Sequence, residues 1–270
     1  DEVGELTVKL SNILKVDSMK SEKAFGAEAL KRSVGSVYEE AFDFNAMSDI
    51  LGSAFVDGAV PDKRRRRIRA ALSALKSQKF FETDEKGAKK GRRKGVHGFV
   101  FDRCTRALEA FQERLPEMVD LVKAMTIARL EIEGRYTEKT HDPFFRRFDE
   151  KYLGPEDLVR FPSYLVCLRN GAEARAEKVT LVEVLSSGLP IKVLVENDDI
   201  LEEPSALPGG LSSGIRGAQL AAMAVGLNNA YVLQSSGSGL YRMREPVMGG
   251  LKNGGPALFS IFSGLAGASS

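Results

Sequence analysis

The chain has no tryptophan, two histidines and two cysteines in 270 residues. Two cysteines, Cys104 and Cys167, cannot build a disulfide framework, and unaided they cannot ligate a structural zinc or an iron–sulfur cluster. Cys104 lies on a helical apolar stripe and Cys167 in an apolar run, where a thiol behaves as a small hydrophobe, and such sparse usage points to a reduced, cytoplasmic setting. No run of eighteen apolar residues occurs, so a membrane-spanning helix is not expected. A Walker A loop, a G-x-G-x-x-G turn, an HExxH helix and a G-x-S-x-G elbow are all missing, which removes the commonest nucleotide, zinc-protease and serine-hydrolase readings. An initiator Met and a basic-then-apolar leader are missing too, and both ends read as cut from a longer protein.

What remains is an ordinary globular composition, 43% apolar and 28% charged, with a net charge of +2. The charge is unevenly spread. Between Val60 and Gly98 there are fourteen Lys and Arg against four acids, a local +10, so the remainder carries −8. Lys63-Arg64-Arg65-Arg66-Arg67-Ile68-Arg69 forms one cluster; Lys86, Lys89, Lys90, Arg92, Arg93 and Lys94, interleaved with glycines, form a second. A phosphate-tracking surface is one reading of this density. No aromatic side chains sit within either cluster to stack bases, and the acidic remainder opposes the field. An exposed loop or a docking surface is therefore the preferred reading, and nucleic-acid binding the disfavoured one.

The first half reads as helical. Pro61 opens a helix with Ile68, Ala71, Leu72 and Leu75 on one face. Phe101, Cys104, Leu108, Phe111 and Leu115 continue the period in a second helix. Pro116 either kinks that helix or opens another, carrying Val119, Val122, Met125 and Leu130 and stopped at Gly134. His141 and Asp142 could serve as a base and its orienter, but chain neighbours rarely point the same way and Pro143 suggests a turn, so a capping or structural histidine is preferred.

After Pro155 the pattern changes. Short apolar runs at Tyr164–Leu168, Ile191–Val195, Ala230–Leu233 and Ala257–Phe262 alternate with segments long enough for helices. Strands apolar on both faces and separated by helices define a parallel sheet covered on both sides, so the expected class is α/β. We place a mainly helical region over 1–158 and the α/β domain over 159–270. In such a sheet ligands bind beyond the carboxyl ends of the strands. Three ends carry suggestive chemistry: Arg169-Asn170-Gly171, Glu196-Asn197-Asp198-Asp199 with Glu202-Glu203, and Ser235-Ser236-Gly237-Ser238-Gly239. Acids and an amide supply hard oxygen donors for Mg²⁺ or Ca²⁺, and a Ser/Gly loop suits phosphate. The same residues also serve simply as turn and capping residues.

The second half resembles a known family. Val184-Leu185-Ser186-Ser187-Gly188-Leu189-Pro190-Ile191-Lys192-Val193-Leu194-Val195 resembles the helix–strand unit of the thiamine-diphosphate domain of pyruvate:ferredoxin (flavodoxin) oxidoreductases. The similarity continues through Gln219-Leu220-Ala221-Ala222-Met223-Ala224, Ala230-Tyr231-Val232-Leu233-Gln234 and Gly255-Pro256-Ala257-Leu258, covering about 159–264. The resemblance implies oxidative decarboxylation of a 2-oxoacid on thiamine diphosphate. Electrons would leave through iron–sulfur clusters to ferredoxin or flavodoxin, and the acyl group would pass to coenzyme A.

In that family a Gly-Asp-Gly turn and a polar segment after the next strand hold the diphosphate through Mg²⁺. Here Arg169-Asn170-Gly171 stands at the turn, the family's threonine ligand falls on Asp198, and its ligating carbonyl falls on Ile200. Its cofactor-contacting asparagine falls on Glu203, with Pro204 following. Two readings stay open. In one, the carboxylate has moved across the site, and Asn170, Asp198 and the Ile200 carbonyl hold the metal. In the other, Arg169 and Glu203 obstruct the diphosphate, and the domain is a non-catalytic docking module for other domains or subunits. The family's cluster-completing cysteine falls near Leu265, so this chain holds no iron–sulfur cluster, and the carboxylate that activates the thiamine ring would come from another domain.

Overall fold

The computed structural model describes residues 2–19, 27–34, 43–55, 60–81, 96–168, 176–197 and 217–262. They form an α/β protein with a five-stranded parallel sheet and a mainly helical N-terminal region. The chain divides into two compact units. The described parts of the first lie within Asp1–Gln78 and Val119–Phe148; those of the second lie within Lys79–Phe81, Arg92–Met118 and Asp149–Ser270.

The helical unit contains α1 (Glu2–Met19), α2 (Ala27–Val34), α3 (Phe44–Phe55), α4 (Asp62–Ser77), the later part of α5 (Cys104–Ile132) and α6 (Glu138–Arg147). Two of them, α3 and α4, start where the sequence supplies a start. The Asp43 carboxylate accepts from the Asn45 and Ala46 N–H groups and satisfies two of the donors left open at the head of α3. Pro61 immediately precedes α4, whose buried stripe is Ile68, Ala71 and Leu75. These pack with Val3, Leu6 and Leu10 of α1 in the apolar core of the unit. Helix α5 runs unbroken through Pro116 and buries Val119, Val122, Met125 and Ala128. It stops where Gly134 takes a left-handed φ of 67°, which lets the Arg135 N–H reach back to the Leu130 carbonyl at 2.8 Å.

The core of the sheet unit is the sheet itself, with strand order β1 (Val100–Phe101), β2 (Tyr164–Leu168), β3 (Ile191–Asn197), β5 (Ala257–Phe262), β4 (Tyr231–Ser236), all parallel. Strand β1 occupies residues that the apolar period assigned to a helix. Phe101 pairs with Val166 across β1 and β2, and the helix begins only at Cys104. The 96–101 stretch is tied down by His97, whose ring lies 2.9 Å from Glu117, and by Arg114, which donates to the Gly98 carbonyl. Helices α7 (Pro155–Leu158), α8 (Lys178–Ser186), α9 (Gly217–Gly226) and α10 (Arg244–Lys252) complete the unit. Gly188, at φ 71°, turns the chain from α8 into β3, a left-handed position that favours glycine.

The two faces of the sheet are unequal. On one, Tyr164, Val166 and Leu168 of β2 and Ile191, Val193 and Val195 of β3 are all buried. On the other, α10 covers the β4–β5 side, where Val247 packs with Tyr231, Leu233 and Phe259. Toward β1 that face thins: Leu165 and Cys167 are half-buried and Val100 is 70% exposed.

Candidate functional site at the carboxyl edge

Strands β2 and β3 are direct neighbours, with Leu168 opposite Val195, so segments 169–175 and 198–216 leave from adjacent strands at the same edge of the sheet. These segments carry the residues that the sequence nominates. Arg169, Asn170, Gly171, Asp198, Ile200 and Glu203 lie outside the described residues, as does Leu265. Their strand anchors are therefore brought together, and the side chains themselves are not described.

The Ser/Gly run after β4 is described. It winds into a 3-10 turn over Gly237–Met243, and its hydroxyls are spent locally. Ser235 Oγ donates to the Ser236 carbonyl, and Ser236 Oγ lies 3.1 Å from Ser238 Oγ. A Cβ at Gly239 would come within 3.1 Å of Ser235 Oγ, so that glycine serves close packing of the turn. These are turn roles, the second of the two readings given by the sequence.

The head of α5 shows a contact that sequence reading missed. Glu177, just before α8, accepts from both the N–H and the hydroxyl of Thr105, at 3.1 and 3.0 Å. A carboxylate thus meets the positive end of a 29-residue helix. No local pattern reveals this, because the partners are separated by 72 residues. Cys104 beside it is buried, and burial pushes its thiol up to about 12, which makes it inert as a nucleophile at neutral pH.

His141 and Asp142 do not pair with each other. The Thr137 N–H lies 2.9 Å from His141 Nδ1, so the imidazole caps α6, while Asp142 accepts from the Tyr136 hydroxyl at 2.7 Å. Pro143 sits inside α6 rather than at a turn.

Half of the first basic cluster turns inward, while Lys63, Arg66 and Arg69 stay exposed. Arg64 and Arg67 both bond Glu131, which is 2% exposed, and Arg67 also covers the ring of Tyr136 at 3.7 Å. Arg65 bonds buried Asp17 at 2.6 Å, and that bond, with the Val60 N–H and against burial, holds the Asp17 carboxyl below the usual carboxylate range. The second cluster, Lys86 to Lys94, lies outside the described residues.

Lys192 is the exception within the otherwise apolar run Ile191–Val195 of β3. It is fully buried, and its ammonium donates to the backbone carbonyls of Asn253 at 2.6 Å and of Gly255. Burial lowers its pKa to about 8.

Among the described residues no three His, Cys, Asp or Glu side chains converge as a metal group, and no helix is long and apolar enough to cross a membrane. No protein family matches the chain, and no curated protein or solved structure does.

Proposed function

We propose that the sheet unit contributes the diphosphate side of a Mg²⁺–thiamine diphosphate site in a 2-oxoacid:ferredoxin or flavodoxin oxidoreductase-like protein of the cytoplasm. The observation that carries this reading is the adjacency of β2 and β3 in a parallel sheet. The segments nominated for the metal follow the carboxyl ends of those two strands, where open α/β sheets bind their ligands. The donor chemistry fits the ion. An amide oxygen from Asn170, a carboxylate from Asp198 and the Ile200 carbonyl are hard oxygen ligands of the kind Mg²⁺ takes alongside phosphate oxygens and water. In this reading Gly171 would permit close backbone approach, Arg169 would meet the diphosphate, and Glu203 would line the pocket. When bound, the thiamine ring supplies the electron sink for decarboxylation. Coenzyme A and the iron–sulfur carriers act with other domains or subunits.

Substituting Asp198→Ala tests the assignment. In the intact protein it abolishes the Mg²⁺-dependent rise in melting temperature that thiamine diphosphate produces; an undiminished rise removes Asp198 from the site.

A second reading, a non-catalytic thiamine-like fold that docks protein partners, draws on a different observation. All-parallel sheets are ordinarily covered on both faces, yet Val100 is 70% exposed and Leu165 and Cys167 are only half-buried. Failure of thiamine diphosphate to bind at all, with or without Mg²⁺, favours this reading.

A further inference from the structure

The thin side of the sheet holds a cavity of about 410 Å³ at the carboxyl ends of β1 and β2, lined by Val100, Phe101, Asp102, Arg106 and Cys167. Its size lies at the small end of the range for ligand pockets, about 300–1,000 Å³. Two apolar side chains, Val100 and Cys167, share its face of the sheet with a single pair of charges, while the Phe101 ring lies on the other face, stacked on Tyr164. The cavity's position, beyond the ends of parallel strands, is where such sheets bind small molecules.

The charged pair limits what fits. Arg106 Nη1 lies 3.0 Å from both oxygens of Asp102, one helical turn away. Among the described residues only Nη1 of the guanidinium is engaged, which leaves the planar edge formed by Nε and Nη2 to take a carboxylate through two parallel bonds. The Asp102 oxygens retain acceptor capacity for an ammonium. Side by side, the two groups present opposite charges a few ångströms apart, which matches a ligand whose own charges are separated by a single carbon. Anion binding by the helix end is already assigned, because Glu177 takes the Thr105 N–H. The ligand's anion therefore falls to Arg106.

We propose that this cavity binds a small zwitterion, a free amino acid with an apolar side chain. Arg106 holds its carboxylate, Asp102 its ammonium, and Val100 and Cys167 receive the side chain. The site uses neither Mg²⁺ nor thiamine diphosphate, so it stands or falls separately from the function proposed above.

Calorimetric titration of the intact protein with L-leucine tests the proposal, with leucinamide (no carboxylate) and 4-methylpentanoate (no ammonium) as comparators. L-Leucine binds saturably, and removing either charged group weakens binding by about tenfold or more. Arg106→Gln and Asp102→Asn each produce a similar loss. Both side chains are more than half exposed, so the variants keep the melting temperature of the parent and the loss reads as binding. Three results overturn the proposal. One is no saturable heat from L-leucine, L-methionine or L-phenylalanine up to about 10 mM. The others are leucinamide binding as tightly as leucine, and affinity that survives both substitutions.

Discussion

The two units bury charge in opposite ways. In the helical unit, α4 points Arg64, Arg65 and Arg67 at two buried carboxylates, Glu131 and Asp17. In the sheet unit, the buried cation is Lys192, and its acceptors are main-chain carbonyls. A helix surface leaves its own backbone satisfied, so a charge brought inside it must find another side chain. In the loop between α10 and β5, carbonyls without a ladder partner are available, and a lysine strut satisfies them. Charge density in a sequence therefore says little about surface potential until the direction of each side chain is known.

The comparison breaks most sharply at Glu131. Replacing it with Ala strands two arginines and lowers stability by about 3 kcal/mol in denaturant titration. Arg66→Ala, an exposed change on the same basic helix, stays within about 0.5 kcal/mol. Equal effects at the two positions would show that the cluster is a solvated face after all.

In the sheet unit the largest effect should come from shape. A Cβ at Gly250 would sit 2.6 Å from Phe259 Cζ and 2.8 Å from Tyr231 Cδ1, because α10 lies directly on those rings. Gly250→Ala costs about 2 kcal/mol through forced displacement. Gly249→Ala, next along the helix and no closer than 3.6 Å to the Tyr231 hydroxyl, is neutral or slightly stabilising. Thermal unfolding of the pair isolates the close approach from ordinary helix propensity.

Lys192→Met has a smaller effect at neutral pH than Glu131→Ala or Gly250→Ala, about 1 kcal/mol, because it removes a buried charge while stranding two carbonyl acceptors. Its pH dependence is more informative. The folded protein releases the Lys192 proton near pH 8, whereas the unfolded chain keeps it to the ordinary value of 10.5. Between those values the unfolded state binds more protons, so stability rises with pH relative to the Met variant. A stability difference between parent and variant that stays flat from pH 7 to 10.5 contradicts the lowered pKa.

The sheet was largely legible. Four of its five strands coincide with apolar runs between Gly and Pro signals, and their alternation with helices specified a parallel arrangement. Strand β1 was not legible: it has two residues, and Phe101 falls in register with the helical stripe that follows it. Nor was Lys192, since one lysine among four apolar residues carries no mark of where its ammonium goes. The period of α4 was clear, but the inward direction of its arginines depends on Asp17 and Glu131, 48 and 67 residues away from Arg65 and Arg64. At the carboxyl edge, the sequence nominates residues that follow β2 and β3, and the fold makes those strands neighbours. The Ser/Gly loop had the composition of a phosphate cradle, but its hydroxyls bond within the turn. Asp102 and Arg106 escaped notice, because an ordinary ion pair at four-residue spacing becomes a cavity wall only when β1 is placed beside β2.

The most direct measurement is calorimetric titration of the intact protein with thiamine diphosphate, with and without Mg²⁺. The account predicts saturable binding that requires the metal, with Asn170, Asp198 and Ile200 as its ligands. Absence of binding under both conditions would contradict it and leave the sheet unit as a docking module.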